Sequence, residues 1–291
     1  MNYDLYLTNL VKELYNEEKS ESTINKYMKD TRDFISFLGN HDIDKEIVIE
    51  YKKHLSEEYK PATVNAKIVA INRFLKFINK NDCIIKMLKI QKQVYLKEEK
   101  ELTVDEYKRL TEAAKDTRIG LIIKTICSTG IRISELEYIT VEAITSGKAE
   151  VSLKGKNRII FIPSTLRDIL TKYIDDNNIK AGPIFITKSG KPLNRSNIWK
   201  EMKKLCEKAN VSKDKVFPHN LRHLFARMFY EEEKDIVRLA DVLGHSSINT
   251  TRIYTMESGK KHLEVLEKVS KLFIDETEYP FCSYPRMKLC Y

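Results

Sequence analysis

Pro218-His219-Asn220-Leu221-Arg222-His223 opens an apolar-periodic stretch that runs through Leu224, Phe225, Met228 and Phe229, and Leu243-Gly244-His245 and Ile253-Tyr254-Thr255 follow it. Pro218 suits the first turn of a helix, where its missing N–H would be unpaired in any case. His219 and Arg222 then stand one turn apart and project from one face. Gly244 suits a helix C-terminus, which puts His245 on the turn that follows. Two imidazoles, a guanidinium and a phenol can therefore meet. A phosphodiester under attack matches this set, because its transition state gathers negative charge that a planar arginine fork neutralises and orients. A phenol, with an ordinary pKa of about 10, needs a neighbouring base or a positive field to act as a nucleophile.

This His-x-Leu-Arg-His, Leu-Gly-His and later Tyr series resembles the C-terminal signature of the tyrosine recombinase (phage integrase) family, a resemblance that calls for an arginine and a lysine upstream. Ser128-Thr129-Gly130-Ile131-Arg132-Ile133-Ser134-Glu135-Leu136 matches the family's Thr-Gly-x-Arg-x-Ser-Glu-Leu pattern and supplies Arg132. The apolar run through Ile122, Ile123 and Ile126 predicts a helix ending at Gly130, so Arg132 sits at a helix junction. Glu135 reads as structural, fixing Arg132 or capping the turn. The β-prone runs Val151-Ser152-Leu153 and Ile159-Ile160-Phe161-Ile162 flank Lys154-Gly155-Lys156-Asn157 and predict a hairpin. In the family such a hairpin carries a lysine that protonates the leaving 5′-oxygen. Lys154 aligns with it, and Lys156 is its rival, since the family's commoner Gly-Lys-Gly-x-Lys-x-Arg pattern differs in length by one residue.

The elements that must position these groups follow from periodicity. Ile24 to Leu38 repeats at the helical period, with Ser20 or Ser22 as cap and Gly39 as terminator. A helix after Pro61 buries Val64, Ile68, Ile71, Phe74 and Leu75, and Lys67, Arg73, Lys76 and Lys80 mark its charged side as a DNA-phosphate face, the plain alternative being solvation. Residues 90–101 are charged and aperiodic, a linker. Thr103 and Glu106 form a capping box, with Leu102 and Tyr107 as a hydrophobic staple. Pro163 precedes a helix to about Asp175, Pro183 to Ile186 reads as a short strand, and Asn194 to Ala209 as a helix offering Arg195, Lys200, Lys203 and Lys204 to phosphates.

Other chemistries find little support. Gly182 to Ser189 imitates a P-loop, but Thr187 stands where the phosphate cradle needs glycine. His219 and His223 have zinc-ligand spacing without a third ligand, so His223 reads as packing or hydrogen-bonding within the fold. Glu231-Glu232-Glu233 reads as a solvated helix end and not as a two-metal carboxylate set. Tyr230 continues the apolar side of its helix, which leaves Tyr254 as the candidate nucleophile among 15 tyrosines. The five cysteines show neither zinc nor disulfide spacing, there is no secretion signal or membrane-spanning run, and a cytoplasmic, nucleoid-associated protein is expected. A formal charge of +9 fits a polyanionic partner.

The resemblance implies a mainly α fold with a small β-sheet. A helical, SAM-like core-binding domain (1–89), a linker (90–101) and an α+β catalytic domain (102–275) with a C-terminal exchange helix would close around DNA like a clamp. No arm-binding domain is expected before Met1, and 276–291 is expected to be a disordered tail. Tyr254 would form a 3′-phosphotyrosyl bond, Arg132, Arg222 and His245 would bind the non-bridging oxygens, and His219 would take the tyrosine proton. No ATP, metal or other cofactor is required, because the covalent link conserves the phosphodiester. The expected partners are double-stranded DNA with inverted-repeat core sites and three further copies, forming a homo-tetramer that works through a Holliday junction. An integrase or transposon recombinase is favoured over a dimer resolvase. A type IB topoisomerase and a catalytically silent DNA-binding protein are the alternatives.

Overall fold

In the first hundred residues, apolar side chains recur at helical spacing on one face of each segment, and the segments are separated by Gly39, Pro61 and short polar turns. The computed structural model describes residues 3–90, 100–153, 156–187, 189–254 and 259–273. The chain divides between residues 92 and 93 into two compact units.

Among the described residues the first unit holds four α-helices, α1 (Tyr3–Asn16), α2 (Glu21–Leu38), α3 (Lys45–Glu58) and α4 (Pro61–Phe77), and a 3₁₀ turn (Asn81–Cys83). They bury Leu10, Leu14, Phe34, Leu38, Ile68 and Phe74 in one core. Ser20 precedes α2 and Gly39 ends it with a φ of 55°. The charged side of α4 departs from expectation. Lys67 is buried, only 8% exposed, with its Nζ donating to Asp30 and Asp33 at 2.9 Å each. Arg73 is spent on Glu13 and, at 2.6 Å, on Glu17. Both cations join α4 to its neighbours, because a buried charge must find a counter-charge. Neither is placed to neutralise phosphate, whereas Lys76 is exposed and Lys80 half-buried.

The second unit begins with the capping box. Thr103 Oγ1 accepts from Glu106 N–H at 3.1 Å, and Glu106 accepts from Thr103 N–H at 2.9 Å, at the start of α5 (Val104–Ala113). Leu102 and Tyr107 pack into the same core. The apolar α6 (Arg118–Thr129) ends at Gly130 in the left-handed region. A Cβ there would lie 2.4 Å from Phe225, so only glycine lets the end of α6 close onto that ring. A 3₁₀ turn (Ile133–Tyr138) and α7 (Val141–Ser146) lead to the antiparallel pair β1 (Lys148–Leu153) and β2 (Lys156–Phe161), in which Leu153 stands opposite Lys156.

After α8 (Ser164–Asp176), the strand expected at Pro183–Ile186 is absent. Thr140 pairs with Pro183 and Ile186 with Pro192 as isolated bridges. Proline lacks the N–H that would extend a ladder in either place. Next come α9 (Arg195–Lys208), α10 (Pro218–Glu233), α11 (Ile236–Leu243), α12 (Ile248–Thr251), a 3₁₀ turn (Arg252–Tyr254) and α13 (Gly259–Ser270). Leu263, Leu266 and Val269 of α13 and the following Phe273 are exposed. The expected tail from 276 lies outside the described residues. Among the described residues, no helix is long and apolar enough to cross a membrane.

Candidate active site

Arg222 projects from the second turn of α10 into a site made largely of helix ends. It is 2% exposed. Its Nη1 donates to Gly130 O at 2.5 Å, and its Nη2 donates to Leu243 O at 2.7 Å and to His245 Nε2 at 3.1 Å. The two carbonyls terminate α6 and α11, where helix acceptors have no partner of their own. Carbonyl dipoles orient the guanidinium without cancelling its charge. Burial, with Arg132 and Arg158 nearby, lowers its pKa to about 10.

Glu135 ties the other two arginines together. Its Oε2 accepts from the Arg132 backbone N–H at 2.6 Å and from Arg158 Nη2 at 2.5 Å, and its Oε1 accepts from Arg132 Nη1 at 3.0 Å. Glu135 thus caps the turn and fixes Arg132 at once. Burial pushes its carboxyl up, but these bonds and the two guanidiniums hold it below the usual range. Arg158 also donates to Val242 O at 2.7 Å. Two guanidiniums share one carboxylate, and with Arg195 the excess positive charge borders an open cavity of about 790 Å³ lined by Arg132, Arg158, Arg195, Ser134, Thr250 and His245, among others. Such a cavity favours an anion carrying several oxygens.

Gly244 turns the chain at a φ of 63° and delivers His245 beside the cavity. Because an arginine N–H can only donate, His245 Nε2 accepts and its ring proton sits on Nδ1, donating to Thr251 Oγ1 at 2.9 Å. Burial and then Arg222, Arg132 and Arg158 drive its pKa down to about 4, so the ring is neutral at physiological pH. Tyr254 is 4% exposed and packs with Ala226, Leu239 and Leu243. Its ring meets His223 edge-on at 4.6 Å and lies nearly parallel to His245 at 5.9 Å. His219 Nε2 is 3.1 Å from His223 Nε2. Burial, followed by His223, Arg222 and Arg132, lowers the His219 pKa, against a raising influence from Glu101.

Arg132, His219, Arg222, His245 and Tyr254 are therefore gathered in one region of the second unit. Lys154 lies outside the described residues, and Lys156 is described only by its backbone at the start of β2. Arg195 lines the cavity, while Lys200 is exposed on α9 and does not. His223, expected to pack or hydrogen-bond within the fold, touches both Tyr254 and His219. Glu101, assigned above to the linker, approaches His223. The sequence reading missed Arg158, Thr251 and Glu101. Arg158 occupies the arginine of the hairpin pattern, a signal that was available, whereas nothing local marks the other two.

The Phage integrase family matches residues 100–261. The tyrosine recombinase XerD of Oceanobacillus iheyensis is 28% identical over 263 residues, 81% of this chain and 88% of that protein. The tyrosine recombinase XerA of Pyrococcus furiosus is 29% identical over 267 residues, 88% of this chain and 91% of its own length. Among solved structures, a lambda integrase tetramer bound to a Holliday junction shares the fold, with a TM-score of 0.70 at 19% identity, over 87% of this chain and 76% of that one.

Proposed function

This chain belongs to the phage integrase family and is a tyrosine-type site-specific DNA recombinase, and on that premise we propose how its own residues carry the reaction. Tyr254 attacks a DNA phosphorus, forming a 3′-phosphotyrosyl bond as the bond to the 5′-oxygen breaks. Arg132, which lines the cavity, and Arg222, which lies behind the cavity's His245, receive the non-bridging oxygens. His219 takes the tyrosine proton, and the hairpin lysine, Lys154 or its rival Lys156, returns one to the leaving oxygen. The observation that carries this reading is Arg222. It is buried and, among the described residues, hydrogen-bonded to two carbonyls and a neutral imidazole and to no carboxylate, so its charge is left available to a phosphate.

His245 acts differently from the simple donor that the family resemblance implied. With its Nε2 accepting from Arg222, it orients that guanidinium, and it donates to phosphate only after a change of tautomer or partner. The domain assignment we propose keeps the helical unit as a core-binding domain and residues 102–275 as the catalytic domain, with Glu101 added to the latter.

Assembly as a homo-tetramer on paired inverted-repeat sites is supported by the lambda integrase tetramer on a Holliday junction and by the exposed apolar residues of α13. Exchange of α13 between protomers would bury them. The departure of the hairpin from the commoner pattern supports action on mobile DNA, in the cytoplasm at the nucleoid. Lys76, Lys80, Arg195 and Lys200 are the proposed phosphate contacts that remain.

The test is a covalent adduct on nicked duplexes drawn from the DNA flanking this chain's own coding sequence. The wild type is expected to form a protein–DNA adduct and Tyr254→Phe none. An adduct that survives Tyr254→Phe would remove Tyr254 as the nucleophile.

A further inference from the structure

His219, His223 and Arg227 succeed one another at four-residue spacing on α10 and so form a single stripe. The segment before α5 lies across that stripe. Glu101 Oε1 is 3.7 Å from His223 Nδ1, and its Oε2 is 3.4 Å from Arg227 Nε. Arg227 Nη2 donates to Leu102 O at 2.5 Å, which pins the backbone beside Glu101. Asn220 Nδ2 does the same on the other side of Glu101, donating to Lys100 O at 3.0 Å. The Glu101 side chain is 12% exposed, so its charge faces the stripe and not bulk water. From this carboxylate the contacts run on through His223 to His219 Nε2 at 3.1 Å, and His223 also meets the Tyr254 ring.

We propose that Glu101 and His223 are positioning residues for the cleavage step, forming a relay that fixes the tautomer of His219 and compensates the charge it acquires from Tyr254. The inference rests on the reading of His219 as the proton acceptor. The negative charge of Glu101, 3.7 Å from Nδ1, favours the tautomer with the proton there, which leaves His223 Nε2 to accept from His219 Nε2–H. The lone pair of His219 is then on Nδ1. When the Tyr254 hydroxyl proton moves to that nitrogen, the phenolate oxygen bonds to phosphorus and His219 becomes an imidazolium hydrogen-bonded to His223, with Glu101 as its counter-charge. An acid behind a catalytic histidine serves the same purpose in hydrolytic triads.

The need is electrostatic. His219 is faced by Arg222 and His223 on its own helix, by Arg132 from the 3₁₀ turn and by His245 from the turn after α11, and all of these oppose a further positive charge. Against them, Glu101 favours it.

The test pairs a measurement that needs no DNA with one that does. In protein labelled at the histidine Cε1 position, the six imidazoles are assigned by single substitution and titrated by NMR in wild type and Glu101→Gln. The His219 proton affinity is expected to fall about tenfold when the opposite charge is removed. Single-turnover adduct formation on the flanking-DNA duplexes is expected to slow about tenfold to a hundredfold. Its acidic limb should move to lower pH, since a weaker base deprotonates earlier, while DNA affinity stays unchanged and Glu101→Asp restores part of the rate.

An unchanged His219 titration would overturn the relay. So would a shifted titration combined with a wild-type rate and pH profile. Should Glu101→Gln fail to fold, His223→Gln takes the adduct measurement, with the same expected slowing, and a wild-type rate there would overturn the relay. A wild type that forms no adduct on any flanking duplex would defeat the proposed function, and the titration would still decide whether Glu101 is coupled to His219.

Discussion

Arg222 combines two demands that usually conflict, being buried and keeping its charge uncompensated. The α6 and α11 carbonyls it satisfies would be orphaned by truncation, at about 1–3 kcal/mol for a buried group left unpaired. Arg222→Ala is therefore expected to lower stability in chemical denaturation by roughly 2 kcal/mol and to slow adduct formation by on the order of a hundredfold or more. A variant with full stability and wild-type cleavage would show that the arginine fork is dispensable. His245 predicts a pH effect. Its folded pKa of about 4 lies below the ordinary 6.5, so between those values the unfolded chain binds the proton first. Its contribution is complete above pH 6.5 and is lost as pH falls toward 4. Denaturation midpoints measured across that window should decline less steeply in His245→Gln than in the wild type.

At the level of elements, the site is made by where helices stop. Gly130 ends α6 and Gly244 ends α11, both in the left-handed region, and their junctions present the carbonyls that hold Arg222 and the turn that carries His245. A Cβ on Gly244 would stand 2.5 Å from the Arg158 side chain, so the turn, the hairpin arginine and Glu135 are fitted to one another. Gly244→Ala is expected to cost about 1–2 kcal/mol from the backbone conformation alone and to displace Arg158. Adduct formation should then fall further than the loss of stability explains, as measured at a temperature where the variant is fully folded. An alanine variant that cleaves normally would show that the turn tolerates the shift.

Across the molecule, charge is divided between holding the fold and meeting DNA. Lys67 closes a buried cluster with Asp30 and Asp33, so Lys67→Ala should destabilise the protein by about 3 kcal/mol through the stranded Asp30. The dependence of DNA affinity on salt should not change. Lys76→Ala should do the reverse, leaving the melting temperature intact and reducing the salt slope by about one. Binding isotherms at several salt concentrations decide between these assignments. In the same way, the apolar residues of α13 and Phe273 lie exposed within one chain. Truncation before Gly259 should preserve the fold of the second unit and reduce assembly on DNA, as read by sedimentation.

What was legible in the sequence was local. The helix starts at Thr103 and Pro218, the stops at Gly130 and Gly244, the hairpin and the order of Arg132, His219, Arg222, His245 and Tyr254 all depend on spacing within a few turns of chain. Helical period and capping chemistry act over that range, so the candidate site could be read as an ordered series of motifs. Partnership across the chain was not legible. Lys67 looked like a surface cation because its spacing in α4 cannot reveal the aspartates of α2, and Arg73 looked the same because the glutamates of α1 are remote in sequence. Glu101 looked like linker until Arg227 and Asn220 drew the preceding segment over α10, and the partners of His223 could not be named before that. The chain's own order determined which residues are proposed to carry the chemistry. Only the tertiary structure decided their protonation partners, because a buried charge is set by whatever packing brings within a few ångströms.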